Sequence, residues 1–239
     1  MTSIKLKPGP SWQIATVSSV HVESPRVKLF KLDFASEQAG VGFYAGQYFD
    51  VRLTAPDGYQ AQRSYSVTSS PDEQGSIELA IERIEDGEVS SYFHELVEVG
   101  DKIEIRGPIG GNFTWFPALS KPVLLIGGGS GIAPLMSMLR HRKSSNSASP
   151  ALLMFSARTE VDLLFRDELE GMAKDDVNFD LVMTLTRSVP EGWNGENRRI
   201  DKKMLDEAVK LIQTKEARPL GRAYLCGGSD FVETIGAHL

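Results

Sequence analysis

The chain is poor in cysteine, in long apolar runs and in positive charge, and each shortage removes a class of function. Cys226 is the single cysteine among 239 residues. A disulfide framework, a thiolate zinc site and an iron–sulfur cluster are therefore excluded, since each needs several cysteines. No metal site is expected. If the protein moves electrons it uses a bound organic cofactor, and any iron–sulfur partner lies on another polypeptide. The formal net charge is −6, and no basic stripe carries interleaved aromatics, which argues against nucleic-acid binding. The only basic run, Arg140-His141-Arg142-Lys143, closes a predicted helix, where cations complement the macrodipole. No apolar stretch is long enough to span a membrane, and Met1-Thr2-Ser3-Ile4-Lys5 lacks a signal h-region. A cytoplasmic location is expected.

What is present divides the chain in two, as its length permits. Up to about residue 117 it reads as short strands over 14–23, 27–34, 48–53, 77–84 and 102–106, separated by turns. Regular strands without a long helix predict a small antiparallel barrel. Ala45-Gly46-Gln47-Tyr48, at the end of the turn expected over 40–46 and within the barrel, reads as either a tight turn or a cofactor approach. The first half closes on Gly107-Pro108-Ile109-Gly110-Gly111.

Two features of this half are chemically loaded. Arg63-Ser64-Tyr65-Ser66-Val67-Thr68-Ser69-Ser70 lies between turns and reads as one strand, yet it carries a guanidinium, a phenol and a run of hydroxyls. Alternation places Arg63 and Tyr65 on one face and Ser64 and Ser66 on the other. Arginine grips phosphate bidentately and tyrosine offers a flat face, so the strand suits a heteroaromatic carrying a pyrophosphate. A polar edge strand with a tyrosine plugging the core is the competing reading. The second feature runs from Asp86-Gly87-Glu88-Val89-Ser90 into a helix ending near Leu96. It is either a phosphate-binding helix start or an ordinary helix capped by Ser90 or Asp86.

From residue 118 the period changes. Val123-Leu124-Leu125-Ile126 is wholly apolar, as for a parallel strand covered on both faces. It breaks into Gly127-Gly128-Gly129-Ser130-Gly131 and a helix opened by Ile132-Ala133-Pro134. Backbone N–H groups of such a turn close on a pyrophosphate, although a merely tight strand-to-helix turn has the same composition. Further strands over 151–155, 179–186 and 222–226, with helices over 162–174 and 201–213 and one opening at Ser229, predict an open, doubly wound parallel sheet. Residues 144–150 read as a solvated loop. Ligands of such sheets bind beyond the strands' carboxyl ends, here Ser156-Ala157-Arg158, Thr186-Arg187 and Cys226-Gly227-Gly228. Arginine there suits the 2′-phosphate of NADP, where an acid would suit NAD. Both arginines are alternatively surface cations paired with Glu160 or Asp162.

The ordered set Arg63-x-Tyr65-Ser66, Gly87-x-x-Ser90, Gly107-Pro108-x-Gly110, Gly127-Gly128-Gly129-Ser130-Gly131-Ile132-Ala133-Pro134 and Cys226-Gly227-Gly228 resembles the ferredoxin–NADP reductase superfamily over almost the whole chain. The resemblance implies an FAD-binding barrel over 1–117 and an NAD(P)-binding domain over 118–239. It implies that Arg63 holds the FAD pyrophosphate, that Tyr65 stacks on the isoalloxazine and that Ser64 belongs to the same strand motif. Ser66 and Cys226 are then the residues at the reacting atoms, Ser66 near flavin N5 and Cys226 beside the nicotinamide. The backbone of Gly87, Glu88, Val89 and Ser90 is implied to bind phosphate, and Arg83 to fix the adenine side. Gly128, Gly129, Ser130, Gly131, Ile132, Ala133 and Pro134 are implied to hold the dinucleotide with Ser156, Arg158, Arg187, Gly227 and Gly228.

Two departures from the pattern stand out. Gly228 takes the place of a common proline, and the chain stops at Ala237-His238-Leu239 in a predicted helix, leaving no C-terminal residue to assign to the flavin face. The expected function is transfer of electrons from NADPH, favoured over NADH, through FAD to a separate ferredoxin, flavodoxin or oxygenase component. The rivals are a reductase of free flavin and a non-catalytic dinucleotide-binding subunit.

Overall fold

A computed structural model describes residues 10–35, 42–119, 121–215 and 219–239. The N-terminal pentapeptide and the start of the turn expected at 40–46 lie outside the described residues. Six strands make the first sheet: β1 (Trp12–Ser24), β2 (Val27–Phe34), β3 (Tyr48–Thr54), β4 (Gln60–Ser66), β5 (Ser76–Glu82) and β6 (Lys102–Ile109). Their order is β4-β3-β6-β1-β2-β5, with every pairing antiparallel. Period-two burial drives the curl: Ile103 and Ile105 point inward between Lys102 and Glu104, and join Phe30, Leu32, Phe49, Val51, Ile77, Leu79 and Ile81 in one core. Helix α1 (Glu88–Glu95) plugs one end, with Phe93 packed edge-on against Phe30 at 4.9 Å between ring centroids.

The sheet's two edge strands meet only where the predicted strand over 63–70 was expected to continue. β4 instead stops at Ser66; Val67 bridges Leu79 and the Thr68 N–H donates to Glu78 O at 2.9 Å. Beyond that bridge β4 and β5 part, which leaves a seam in the barrel wall.

The second sheet is parallel, β10-β7-β8-β9, built from β7 (Val123–Gly128), β8 (Ala151–Ala157), β9 (Phe179–Leu185) and β10 (Arg222–Cys226). Alternate residues of the central strands face opposite layers. Leu125, Leu153 and Phe155 pack with α2 (Ala133–Ser144) and α3 (Arg166–Asp175), whereas Leu124, Ile126, Leu152 and Met154 pack with α4 (Lys202–Lys215) and α5 (Ser229–Gly236). Helices on both faces make the fold doubly wound. α5 closes at Gly236 with Ala237 as its cap, so the helix predicted to reach the terminus ends before it. The 144–150 loop is less solvated than expected, because Ser149 and Pro150 are buried.

The basic run at the end of α2 does more than complement a dipole. Arg140 donates to Thr68 O (3.1 Å) and Glu78 Oε1 (2.7 Å) of the barrel and to Glu168 Oε2 (2.7 Å) of α3. Ser137 Oγ donates to Ser69 O at 2.7 Å, and His141 Nδ1 lies 2.7 Å from Asp72 Oδ2. The helix is thus pinned to the segment that follows β4. Only tertiary partners reveal this, which is why a local dipole reading misses it.

Burial alone would raise the Asp72 carboxyl, but hydrogen bonds from Ser144, His141 and Ser70 outweigh it and hold the group at about 2, below its ordinary 3.8. A depressed carboxyl contributes its stability above the unfolded value and loses it as pH falls through the folded one. Interdomain docking is therefore expected to loosen as pH drops from about 4 towards 2. Calorimetry across that window should show Asp72→Asn flattening the wild-type decline.

Candidate functional site

The seam opens into a cavity of about 550 Å³ whose barrel wall carries Arg63, Ser64, Tyr65 and Ser66. Cross-strand register sets Arg63 opposite Val51 and Tyr65 opposite Phe49, with Ser64 opposite Asp50. The expected alternation holds, yet all four residues reach the cavity because β4 is an edge. Ser64 Oγ is already committed, donating to Asp50 Oδ1 at 2.6 Å, and Arg106 holds that carboxylate's other oxygen at 2.6 Å. Burial pushes the Tyr65 phenol up to about 12 against the opposing pull of Arg63, so it stays neutral at physiological pH. The Arg63 guanidinium donates to Gln62 O at 2.7 Å, and among the described residues no carboxylate pairs with it.

α1 brings an uncapped start to the same cavity. Its cap residue is Gly87, with no side-chain cap bond. Ser90 and Asp86 do not cap it: Ser90 Oγ turns back to accept from the Ile84 N–H (3.1 Å) and to donate to Gly87 O (3.2 Å). A Cβ at Gly87 would lie 2.5 Å from that hydroxyl, so glycine is required for the tight entry. The first-turn N–H groups are left for a ligand. Gly87, Val89 and Ser90 line the cavity. Glu88 instead accepts from the Tyr59 hydroxyl at 3.0 Å, and Arg83 pairs with Glu95; neither lines it.

Across the cleft, the glycine turn leaves β7 as a 3-10 turn, Gly129–Ile132, and runs into α2. Gly131, Ala133, Pro134, Cys226 and Gly227 line the far wall of the first cavity. Ile132 is wholly buried and anchors the turn rather than lining it. Gly131 is fixed by a close approach, since a Cβ there would sit 2.4 Å from Cys226 O. Burial raises the Cys226 thiol, with the Gly227 backbone opposing, so it is a poor thiolate and suits an orienting role rather than a nucleophilic one.

A second cavity, about 800 Å³, lies over the carboxyl ends of the parallel strands. Gly128, Gly129, Ser130, Ser156, Arg158, Arg187 and Gly228 all line it. The acids proposed as partners for its arginines are engaged elsewhere: Glu160 with Arg166, and Asp162 with Arg26 at 3.6 Å. Among the described residues, Arg158 and Arg187 form no ion pair, and the Arg187 N–H donates to Arg158 O at 2.9 Å, tying the two strand tips together. Glu82, Ser130 and Gly228 line both cavities, so the two open onto each other.

Arg199, Arg26 and Phe231 are among the cavity residues that a reading of the sequence misses. Arg199 follows a stretch without regular structure, and Arg26 reaches in from the other domain. Phe231 of α5 packs on the glycine turns; a Cβ at Gly128 or Gly227 would come within 3.0 or 2.6 Å of its ring. A phenylalanine three residues beyond Gly228 gives a faint signal, whereas the two arginines give none.

The residues fit the groups that the resemblance implies. A guanidinium without a carboxylate, a neutral phenol and an uncapped helix start suit FAD in the first cavity. Gly128, where a Cβ would come within 3.0 Å of the Phe231 ring, and the arginines at the strand tips suit a dinucleotide in the second.

The Oxidoreductase FAD-binding domain family matches residues 14–115, and the Oxidoreductase NAD-binding domain family matches 125–236. Ferredoxin–NADP reductase B of Sorangium cellulosum is 32% identical over 221 residues, covering 92% of this chain and 88% of that protein. The reductase component of propane 2-monooxygenase from Mycolicibacterium goodii is 31% identical over 191 residues, or 80% of this chain but 53% of that one. The chain therefore spans nearly all of the first relative and about half of the second. Among solved structures, a ferredoxin NADP+ reductase from Neisseria gonorrhoeae with bound FAD and NADP superposes with a TM-score of 0.77 at 22% identity, over 95% of this chain and 89% of that one. The cytochrome b5 reductase domain of Ulva prolifera nitrate reductase also gives 0.77, at 23% identity over 93% and 89%. At these identities the structural likeness speaks for the fold alone.

Proposed function

The chain belongs to the ferredoxin–NADP reductase superfamily of FAD- and NAD(P)-binding oxidoreductases, and from that premise we propose that it takes electrons from NADPH, by way of FAD, to a separate one-electron carrier. The observation that carries this reading is the meeting of two cavities from different sheets at Glu82, Ser130 and Gly228. The hydride and one-electron chemistry belongs to the two cofactors when bound. The chain's own residues bind, orient and shield. Arg63 and the start of α1 hold the flavin's phosphates, Tyr65 covers its ring, and Ser66 offers a hydroxyl at the ring edge. The 128–131 turn holds the dinucleotide, while Cys226 and Gly227 support its nicotinamide end.

Arg158, Arg187 and Arg199 all line the second cavity, and arginines at the strand tips suit a 2′-phosphate, which supports NADPH over NADH. We take the acceptor to be a ferredoxin, a flavodoxin or an oxygenase component; within the 239 residues Cys226 alone cannot hold an iron–sulfur cluster. Among the described residues no helix is long and apolar enough to cross a membrane. We place the protein in the cytoplasm, with the division between FAD and NAD(P) domains at 117/118.

The test is the visible spectrum of the purified protein, followed by anaerobic titration with NADPH and with NADH. Flavin absorbance bleached at lower NADPH than NADH supports the reading. Flavin lost on gel filtration but turned over when added free would replace it with a flavin reductase. A colourless protein that cannot take up FAD would overturn it.

A further inference from the structure

Arg26 occupies the turn between β1 and β2, outside every motif that the family resemblance uses. Antiparallel register pairs Val27 with Glu82, so the preceding arginine is delivered to the end of β5 at the mouth of the seam. Its Nη2 lies 3.1 Å from Glu82 Oε1 and 3.6 Å from Asp162 Oδ1 of the second domain. Those two partners are not equivalent. Glu82 is held at ion-pair distance within the same barrel. Asp162 is farther away, and its Oδ2 is already taken by the Thr159 N–H (3.1 Å) and hydroxyl (2.8 Å) in a capping box.

The location of this guanidinium decides what it meets. Glu82 lines both cavities and therefore marks the end of the dinucleotide cavity nearest the flavin. Asp162 marks the side nearest Thr159 and the Arg158 strand tip. Arg26 and the Gly128-Gly129-Ser130 turn line the same cavity, so a pyrophosphate held by the backbone N–H groups of that turn lies in the space the guanidinium also lines. The guanidinium is about half exposed, with a side-chain accessibility of 48%, so nothing buries it away from that position.

We propose that Arg26 is a dinucleotide-binding residue supplied by the FAD domain across the cleft, which exchanges its loose contact with Asp162 for the pyrophosphate of the incoming nucleotide. Glu82 keeps the guanidinium aimed during the exchange. This rests on the function proposed above, and it deepens it by assigning the phosphate backbone a cation from the opposite domain. Because NAD and NADP share the pyrophosphate, the contact is blind to the 2′-phosphate.

The experiment is calorimetric titration of the oxidised holoprotein with NADP+ and with NAD+, for wild type, Arg26→Ala, Arg26→Lys and Asp162→Asn. Loss of charge-assisted hydrogen bonds predicts that Arg26→Ala weakens both nucleotides by the same factor, roughly tenfold or more, with a shallower salt dependence. Arg26→Lys should recover part of the loss. Asp162→Asn, which frees Arg26, should leave binding unchanged or tighten it. If Arg26→Ala and Asp162→Asn weaken binding alike, the residue is only an interdomain latch and the proposal fails. Unchanged affinity in Arg26→Ala overturns it equally. A wild-type holoprotein that binds neither nucleotide would overturn the functional reading and this inference together, whereas the variant outcomes strike the inference alone.

Discussion

Arg63→Ala is expected to emerge from purification nearly colourless while remaining folded. The guanidinium lines the first cavity, has no carboxylate partner among the described residues, and makes a single hydrogen bond to the carbonyl of Gln62. Its removal therefore leaves no buried charge unpaired and opens no void in the barrel core. What it removes is a planar, two-pronged grip on phosphate. Each hydrogen bond to a charged group is worth about 1.5–3 kcal/mol, so losing two lowers FAD affinity by roughly two orders of magnitude or more. Arg63→Lys keeps the charge without the fork and should fall between the two. The checks are flavin-to-protein absorbance ratios after desalting, with thermal melts of the apoproteins. Retention of full flavin by the alanine variant would remove Arg63 from the site.

Gly131→Ala is expected to do the reverse, keeping flavin and losing its reduction. The added Cβ would stand 2.4 Å from Cys226 O, 2.6 Å from Cys226 C and 2.6 Å from Gly227 N. These are backbone atoms of the β10–α5 turn and cannot rotate aside as a side-chain tip does. The turn must move, taking with it the Cys226 thiol and the floor between the two cavities. Displacements of about 1 Å near reacting groups cost on the order of a hundredfold in rate. Anaerobic stopped-flow reduction by NADPH should therefore slow by about that factor with little change in flavin content. Normal reduction would show that the two turns are not held together as tightly as the geometry demands.

The parts of this molecule that were legible in the sequence are those written in local chemistry. The apolar run Val123-Leu124-Leu125-Ile126 requires cover on both faces, and both faces are covered. The glycines from Gly127 to Gly131 announce a strand-to-helix turn, and the turn is there. Arg63 and Tyr65 stand out by type on an edge strand, and both line the first cavity, although Tyr65 also packs against the barrel core beside Phe93, as the competing reading expects. What could not be read depends on partners distant in sequence. Ser90 and Asp86 are good cap residues by type, but Ser90 is drawn back to Ile84 and Gly87, leaving Gly87 as the cap. The 140–143 run looks like dipole complementation until Thr68, Glu78 and Asp72 are placed beside it. Arg26 and Glu82 are far apart in the sequence and neither stands out by type, whereas their adjacency follows at once from the Val27–Glu82 register.

The bonds from Ser137 and Arg140 to Ser69, Thr68 and Glu78 also bear on how the protein's two halves can be inherited. The helix after the Gly127–Gly131 turn grips the peptide that follows β4. A barrel grafted onto another parallel sheet would keep these bonds only where the new helix carries donors at the positions of Ser137 and Arg140. The two halves are consequently poor candidates for shuffling by recombination, and substitutions along this contact should be inherited as pairs.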